Sequence, residues 1–425
     1  MIWAVLLILL ALAGAPLFAI IAASSMWGFH DSGIDLSVMA IEVFRIAEMP
    51  VLLAIPLFTL AGYLLGESGA PGRLVRLTRA FLGWVPGGLA IVALVACAFF
   101  TAFTGASGVT IIALGALLYP ALLEDGYGED FSLGLVTTSG SLGLLFAPSL
   151  PLILYGIVAQ QSTNGAGVSI DRLFAAGLLP GLLMLVLLGA WTIWRNKKNR
   201  VPIGHFSWQQ LLAAFRESIW EIPLPIVILG GIYSGYFAIS EAATVTAVYV
   251  LVVEVFILRE ISWKELPAII HKSMVLVGGI MLILGLSLAS TTYMIDAGVP
   301  TKLFAFVKEH VGNPLTFLLL LNLFLLALGA ILDIFSALVL VVPLILPVAT
   351  GFGIDPLHLG IIFLANMQLG YLTPPIGLNL FISSYRFEQP VTTIYKATIS
   401  FFFILLISVL VITYWPALSL WLPNL

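Results

Sequence analysis

Charge is what this sequence has least of. Of its 425 residues only 9% are Asp, Glu, Lys or Arg, against roughly a quarter in a soluble domain. With 17 Lys+Arg against 21 Asp+Glu, the net charge of −4 offers no basic surface to phosphate backbones and excludes nucleic acid as a partner. A single cysteine, Cys97, excludes a disulfide framework and any multi-cysteine metal cluster. The histidines (His30, His205, His271, His310 and His358) are scattered at the edges of apolar runs, form no metal set and read as interfacial. What is abundant is apolar: 61% of residues are hydrophobic and the mean hydropathy is +1.14. Soluble enzymes and disordered chains are therefore excluded too. The sequence describes an all-α polytopic membrane protein in contact with lipid, with room for roughly ten spans of about 20 residues.

Apolar runs cover 2–23, 50–66, 131–159, 173–194, 222–237, 242–258, 274–292, 357–382 and 397–420. No Lys or Arg precedes the first, so it lacks the positive leader of a signal peptide and reads as a retained helix. Two further runs, 86–123 and 314–350, are too long for one span and are interrupted midway, by Thr-Gly-Ala-Ser-Gly at 104–108 and Gly-Ala-Ile-Leu-Asp at 329–333. Each half is short for a core of about 30 Å at 1.5 Å per residue, which points to re-entrant helical hairpins. With the N-terminus cytoplasmic and neither hairpin crossing, Arg73, Arg76, Arg79, Arg195, Lys197, Lys198, Arg200, Arg216, Arg259, Lys264, Lys272, Arg386 and Lys396 all face the cytoplasm. Only Arg45, Arg172, Lys302 and Lys308 face outward, and the C-terminus is periplasmic.

The chain also repeats itself. Pro120 and Pro347, Gly126 and Gly353, Gly143 and Gly370, and Pro148 and Pro375 are all 227 residues apart. Gly69 and Pro71 match Gly298 and Pro300 at a spacing of 229, as Gly83 matches Gly312. Glycine and proline occupy positions that a backbone cannot easily reassign. Two halves, 1–220 and 221–425, are expected to share one fold with inverted topology, each holding a hairpin and a broken transmembrane helix. The breaks are predicted at Phe146-Ala-Pro-Ser-Leu-Pro151 and Thr373-Pro-Pro-Ile-Gly377. Backbone unwound at membrane depth survives where it binds an ion or lines a cavity, so a tip and a break from each half could cage a cation. The Ser-Trp segments at 206–211 (within an arm spanning 204–218) and 261–266 read as interfacial amphipathic arms.

Several of these motifs together resemble the large membrane (M) subunit of TRAP transporters, the DctM-like family. They are Ile-Pro-Leu-Phe at 55–58, Gly-Ala-Ser-Gly at 105–108, Leu-Asp-Ile at 332–334, the prolines 343 and 347, Gly-Ile-Asp-Pro at 353–356 and Thr-Pro-Pro-Ile-Gly-Leu-Asn at 373–379. The resemblance runs over essentially the whole chain. It implies a sodium-coupled importer of an organic acid, such as a C4-dicarboxylate, sialic acid or sugar acid, across the bacterial inner membrane by an elevator movement. It implies two or more Na+ ions, no organic cofactor, a periplasmic substrate-binding P protein and a small membrane Q subunit, here expected as a separate chain.

On that resemblance, sodium is expected at Thr104, Gly105, Ser107, Gly108, Phe146, Ala147 and Pro148 in the first half, and at Gly329, Asp333, Gly370, Leu372, Thr373 and Pro374 in the second. Substrate is expected at Ser107, Ser149, Pro375 and Asn379. Glycines flanking Ser107 expose carbonyls, and hard cations take oxygen ligands; close packing of small residues is the competing reading. Asp333 is the only acidic residue in mid-hairpin. At that depth a carboxylate costs about 2.5 to 3.5 kcal/mol, so it either ligates an ion or braces the tip. The 105–108 motif also matches the nucleophile motif of intramembrane serine proteases, but no histidine lies mid-span to serve as base. A carrier of the same hairpin architecture working without a binding protein is the nearer alternative.

Overall fold

The computed structural model describes residues 6–7, 9–10, 13–85, 87–162, 168–197 and 206–424. Lys198, Arg200, His205 and the first two residues of the 204–218 arm lie outside the described residues. Helices and short connections make up the rest, with no strand among the described residues. In chain order the first half holds α1 (Leu17–Asp31), α2 (Ser37–Arg45), α3 (Ala54–Glu67), α4 (Ala70–Leu82), α5 (Gly88–Thr104), α6 (Ser107–Glu124), α7 (Glu129–Ser139), α8 (Leu150–Ser162), α9 (Ile170–Asn196) and α10 (Trp208–Glu217). The second holds α11 (Pro223–Tyr233), α12 (Ile239–Leu251), α13 (Leu266–Asp296), α14 (Val299–His310), α15 (Pro314–Gly329), α16 (Ile334–Gly351), α17 (Pro356–Gly370), α18 (Leu378–Phe387), α19 (Val391–Tyr414) and α20 (Ala417–Leu420). Among the described residues seven helices are long and apolar enough to cross a bilayer, or up to nine when each bent pair counts as one span.

The two interrupted runs form helix pairs, α5–α6 and α15–α16. Both ends of α6 and of α16 differ by 227, and so do the starts of α7 and α17. That is the spacing of the prolines and glycines, because those residues cap, kink and terminate these helices. The peptide bonds Ala147–Pro148 and Pro374–Pro375, again 227 apart, are both cis.

Several boundaries depart from expectation. The first apolar run is not one helix through residue 23. Gly14 is left-handed (φ +84°) and Pro16 cannot continue a helix, so α1 starts afresh and runs to Asp31. The run at 274–292 is the middle of a 31-residue helix, α13, whose polar first turns hydropathy does not mark. The 261–266 segment is no separate arm: Ser262 N–H and Oγ donate to Glu265 Oε2 at 2.9 and 2.7 Å, forming the turn that starts α13. The first break opens earlier than expected, at Gly140, with a 3-10 turn over Leu142–Leu145. Three amphipathic helices (α2, α4 and α14) fall between the apolar runs. His358 is not interfacial either; it is buried, with its ring nitrogens 3.2 Å from both Ser419 Oγ and the Thr413 carbonyl.

Two groups of helix contacts stand out within one continuous core. In one, α3 packs on α12 and α13, and α1 and α2 pack on α13. In the other, the halves interleave: α16 lies on α8, α19 on α7 and α9, and α15 on α17. Lipid tails are as apolar as leucine, so contact there depends on small residues and polar links rather than on burial. A Cβ at Gly143 would stand 2.2 Å from the Ala98 carbonyl oxygen, and one at Gly177 would stand 2.1 Å from that of Leu145. Asn322 Oδ1 accepts from Asn366 Nδ2 at 2.5 Å and from Thr413 Oγ1 at 3.1 Å, joining α15, α17 and α19.

Candidate functional site

Helix α5 ends because Gly105 turns left-handed (φ +64°), and Ala106 is extended before Ser107 opens α6. The turn leaves no room for a side chain: a Cβ on Gly105 would meet Leu150 Cδ1 at 2.6 Å. The frame presses on this tip, since a Cβ on Gly62 of α3 would stand 2.6 Å from Thr104 Cα. Thr101 Oγ1 lies 2.7 Å from Thr110 Oγ1 on the other leg and 2.9 Å from the carbonyl of Gly140, where α7 breaks. One buried hydroxyl pair thus ties both legs to the first break.

The second tip is built differently. Asp333 is the N-cap of α16: its Oδ1 accepts from the N–H groups of Phe335 and Ser336, both at 3.0 Å, and its Oδ2 from Ser336 Oγ at 2.5 Å. The Ile334 N–H donates to Tyr371 Oη at 2.8 Å. The Ala330 carbonyl accepts from Ile376 and Gly377 at 3.2 and 3.1 Å, so tip and break are hydrogen-bonded into one unit. Gly329 and Gly370 meet face to face within it: a Cβ on Gly370 would lie 2.6 Å from both Cα and C of Gly329.

Both tips line one cavity of about 350 Å³. Gly105, Ala106, Ser107 and Gly108 come from the first, and Asp333, Ile334 and Phe335 from the second. Tyr63, Tyr371 and apolar side chains including Leu276 and Ile382 complete the wall, and Asp333 is the one charged residue among those lining it. The first turns of α6 and α16 both border the space; the α16 N–H groups are taken by Tyr371 and Asp333, so it is the uncapped start of α6 that favours an anion. The Asp333 carboxylate beside them favours a cation. A larger cavity of about 920 Å³, lined by Arg45, Glu48, Gln160, Gln161 and Asp171 among others, includes neither tip nor break.

The expected residues separate into four groups. Gly105, Ser107, Gly108 and Asp333 line the cavity. Thr104, Gly329, Gly370, Leu372 and Thr373 shape the tip or break behind it, with Thr373 Oγ1 donating to the Leu369 carbonyl at 3.0 Å. Phe146, Ala147, Pro148, Pro374 and Pro375 form the breaks themselves. Ser149 is fully buried and donates to the Leu144 carbonyl at 2.7 Å. Asn379, also fully buried, donates from Nδ2 to the Thr137 carbonyl (3.3 Å) and Ser141 Oγ (3.2 Å), bridging the halves.

Around the breaks, buried polar atoms stand without a hydrogen-bond partner among the described residues: Thr138 Oγ1, Asn379 Oδ1, Ser383 Oγ, and Oε1 and Nε2 of Gln368. Thr101, Thr110, Tyr371 and Gln368 escaped the sequence reading. For Gln368 a signal existed, a lone amide two residues before a break glycine.

The family model described as "Tripartite ATP-independent periplasmic transporter, DctM component" matches residues 1–418. The C4-dicarboxylate TRAP transporter large permease protein DctM of Pseudomonas aeruginosa is 35% identical over 387 residues, 91% of this chain and 89% of that protein. The isethionate TRAP transporter permease protein DctMQ of Oleidesulfovibrio alaskensis is 31% identical over 408 residues, 96% of this chain but 62% of that one. Among solved structures, the Alcanivorax borkumensis YdaH transporter, reported to have an unusual topology, superposes with a TM-score of 0.63 at 12% identity. The match covers 91% of this chain and 88% of that one, a likeness of fold alone.

Proposed function

The chain belongs to the DctM component family of tripartite ATP-independent periplasmic transporters, and we propose that it imports an organic anion together with sodium by an elevator movement. It is the large permease of a bacterial TRAP transporter, a multi-pass membrane protein and not an enzyme. Such permeases work with a substrate-binding protein and a small membrane subunit. In this reading the small subunit is a separate chain, although the Oleidesulfovibrio relative carries a combined DctMQ name. Both relatives are named for anionic substrates, and a C4-dicarboxylate is the first candidate here.

The observation that carries the proposal is the convergence of two helix starts and one carboxylate on a single small cavity. An anion there meets N–H dipoles but also repulsion from the Asp333 carboxylate. A bound sodium ion removes the repulsion and adds attraction, so cation and anion favour each other's binding; that mutual preference is what coupling requires. Sodium ligands in this reading are the tip and break carbonyls at 104–108, 146–148, 329–333 and 370–374, with the donorless oxygens of Thr138 and Asn379 beside them. The two groups of helices provide the frame and the carrier, the inverted halves the symmetry, with the N-terminus cytoplasmic and the C-terminus periplasmic.

Liposome transport tests this. Uptake is expected only when sodium, the small subunit and the cognate binding protein are present together. Uptake by this chain alone would overturn the binding-protein requirement, and proton-driven uptake indifferent to sodium would overturn the ion.

A further inference from the structure

At the start of α4, Arg73 is surrounded by three carboxylates. Its Nε donates to Glu221 Oε1 at 2.6 Å, its Nη1 to Glu260 Oε1, and its Nη2 lies 3.5 Å from Glu254 Oε1. The Arg73 side chain is 8% exposed, those of Glu221 and Glu254 9% and 1%. A six-residue π-turn over Val252–Ile257 ends α12 and folds the chain back, so that Glu260 and Ile261 N–H both donate to the Glu254 carbonyl. The fold-back sets the carboxyl groups of Glu254 and Glu260 side by side on the two amino nitrogens of one guanidinium, Nη2 and Nη1 of Arg73.

Three carboxylates around one guanidinium leave two negative charges uncompensated, with Glu221 and Glu254 buried and the Glu260 side chain 31% exposed. Among the described residues no other cation pairs with them: Arg76 is paired with Glu217 (2.7 Å), Lys272 with Glu67 (2.8 Å) and Arg79 with Asp125 (3.7 Å), while Arg259 and Arg216 are exposed. On the α12 side Tyr249 Oη donates to the Trp220 carbonyl, not to a carboxylate. The carboxylates do not form a metal-ion set, because the guanidinium lies among them. Two of their oxygens, Glu254 Oε2 and Glu221 Oε2, are buried without any donor, a costly state for an ionised carboxylate. Glu254 is the deepest of the three and has the longest contact to Arg73. Glu260 is the opposite case: burial pushes its carboxyl up, but the hydrogen bonds from Arg73 and from the Gly69 N–H outweigh that and hold it below the ordinary value.

We infer that this cluster is a proton-binding site, in which Glu254 carries one proton and donates it in a hydrogen bond to Glu260. The proton turns a like-charge contact into a bond, and the Arg73–Glu260–Gly69 contacts then hold α4, the arm between α3 and the first helix pair, against the end of α12. The residues come from α4, the α10–α11 junction and the α12–α13 turn, so nothing in the site depends on the transported substrate or on sodium.

Infrared difference spectroscopy of the purified full-length chain in detergent reads the proton directly. At neutral pH the wild type should show the carbonyl stretch of a protonated carboxylic acid, shifted by deuterium exchange, absent in Glu254→Gln and lost as pH rises. In Glu221→Gln one negative neighbour is gone, so the same band should titrate away at lower pH than in the wild type. That second variant keeps the test open if the first does not fold. Hydrogen exchange at the α4 amides, corrected for the intrinsic pH effect, should accelerate severalfold as the wild-type band is lost and stay slow in Glu254→Gln. Wild-type and Glu254→Gln spectra that superpose in the acid-carbonyl region at neutral pH would overturn the site. So would a Glu221→Gln band with unchanged midpoint, and α4 exchange indifferent to the proton would overturn the docking role.

Discussion

Gly329 and Gly370 face each other, yet alanine at the two positions should have very different effects. A Cβ on Gly370 would lie 2.6 Å from the Cα and C of Gly329 and 3.1 Å from Ala330 N, all backbone atoms, whereas ordinary contact begins at 3.4 Å. The second tip must therefore retreat by about 0.8 Å, a strain of about 1–3 kcal/mol in a packed interior. That retreat pulls the Ala330 carbonyl from the Ile376 and Gly377 N–H groups, now 3.2 and 3.1 Å away, and each lost bond costs about 0.5–1.5 kcal/mol. A Cβ on Gly329 meets Gly370 Cα and Met367 Cα at 3.2 Å and the flexible Met367 Sδ at 3.3 Å. A shift of about 0.2 Å clears it, and alanine's better helix propensity offsets the cost by up to about 1 kcal/mol. If the tip supplies ion ligands, a loss of about 1.4 kcal/mol raises half-saturating sodium about tenfold. The assay is sodium-dependent uptake by the reconstituted three-component transporter, with the thermal midpoint of each solubilised variant as a folding control. Gly370→Ala should fold and require about tenfold more sodium or worse; Gly329→Ala should stay within about twofold of wild type. Equal effects, or the reverse order, would refute the argument from backbone contact.

Other expectations concern the caps, the bridge and the buried charges. Asparagine also caps helices, so Asp333→Asn should keep the wild-type melting midpoint while Asp333→Ala costs about 1 kcal/mol; if Asn also leaves sodium affinity unchanged, direct ligation by Asp333 is wrong. Asn379→Leu removes the donors to Thr137 and Ser141 and should destabilise by about 1–3 kcal/mol, read by denaturation of the solubilised chain; no loss would mean the bridge between halves is dispensable. Arg73→Gln strands three carboxylates and should cost about 3–5 kcal/mol, partly recovered by adding Glu254→Gln, as a double-mutant cycle would show. Because Glu260 is held below its ordinary value in the folded chain, its contribution is present above the unfolded value and is lost as pH falls through the folded one. Acid should therefore loosen α4 in the wild type, and Glu260→Gln should remove that part of the pH dependence.

Much of the site was legible because the residues that build it are those with few conformational options. Overlong apolar runs interrupted at 104–108 and 329–333 located both helix pairs, and prolines located both breaks, since a left-handed turn at Gly105 or a stop at Pro375 cannot be reached by most other residues. Hydropathy found the spans but not α2, α4 and α14, whose polar faces dilute any window average. The Gly69–Pro71 and Gly298–Pro300 pairs marked the starts of two of them, and were used only as evidence of repetition. The hydroxyl link between Thr101 and Thr110 was invisible, because threonines in apolar helices usually bond back to their own turn. The Arg73 cluster was beyond reach for another reason: its partners lie 148 and 187 residues away in sequence, and no local pattern announces them.

The two matching arms, α4 and α14, are not equivalent. Helix α4 packs on α5 and is also fixed through Arg73 to the end of α12. At the matching place in α14, 229 residues on, stands Lys302, whose Nζ reaches only the Ala297 carbonyl. Helix α14 has no buried residue and rests on α16, where Phe304 meets Phe352. One arm is thus bolted at both ends and the other at one, as a door is hung on a fixed post and steadied by a loose stay. In the elevator reading proposed above, travel of the hairpin-bearing helices would be limited on the α4 side and free on the α14 side, so the length of the stroke would be set where the buried charges are.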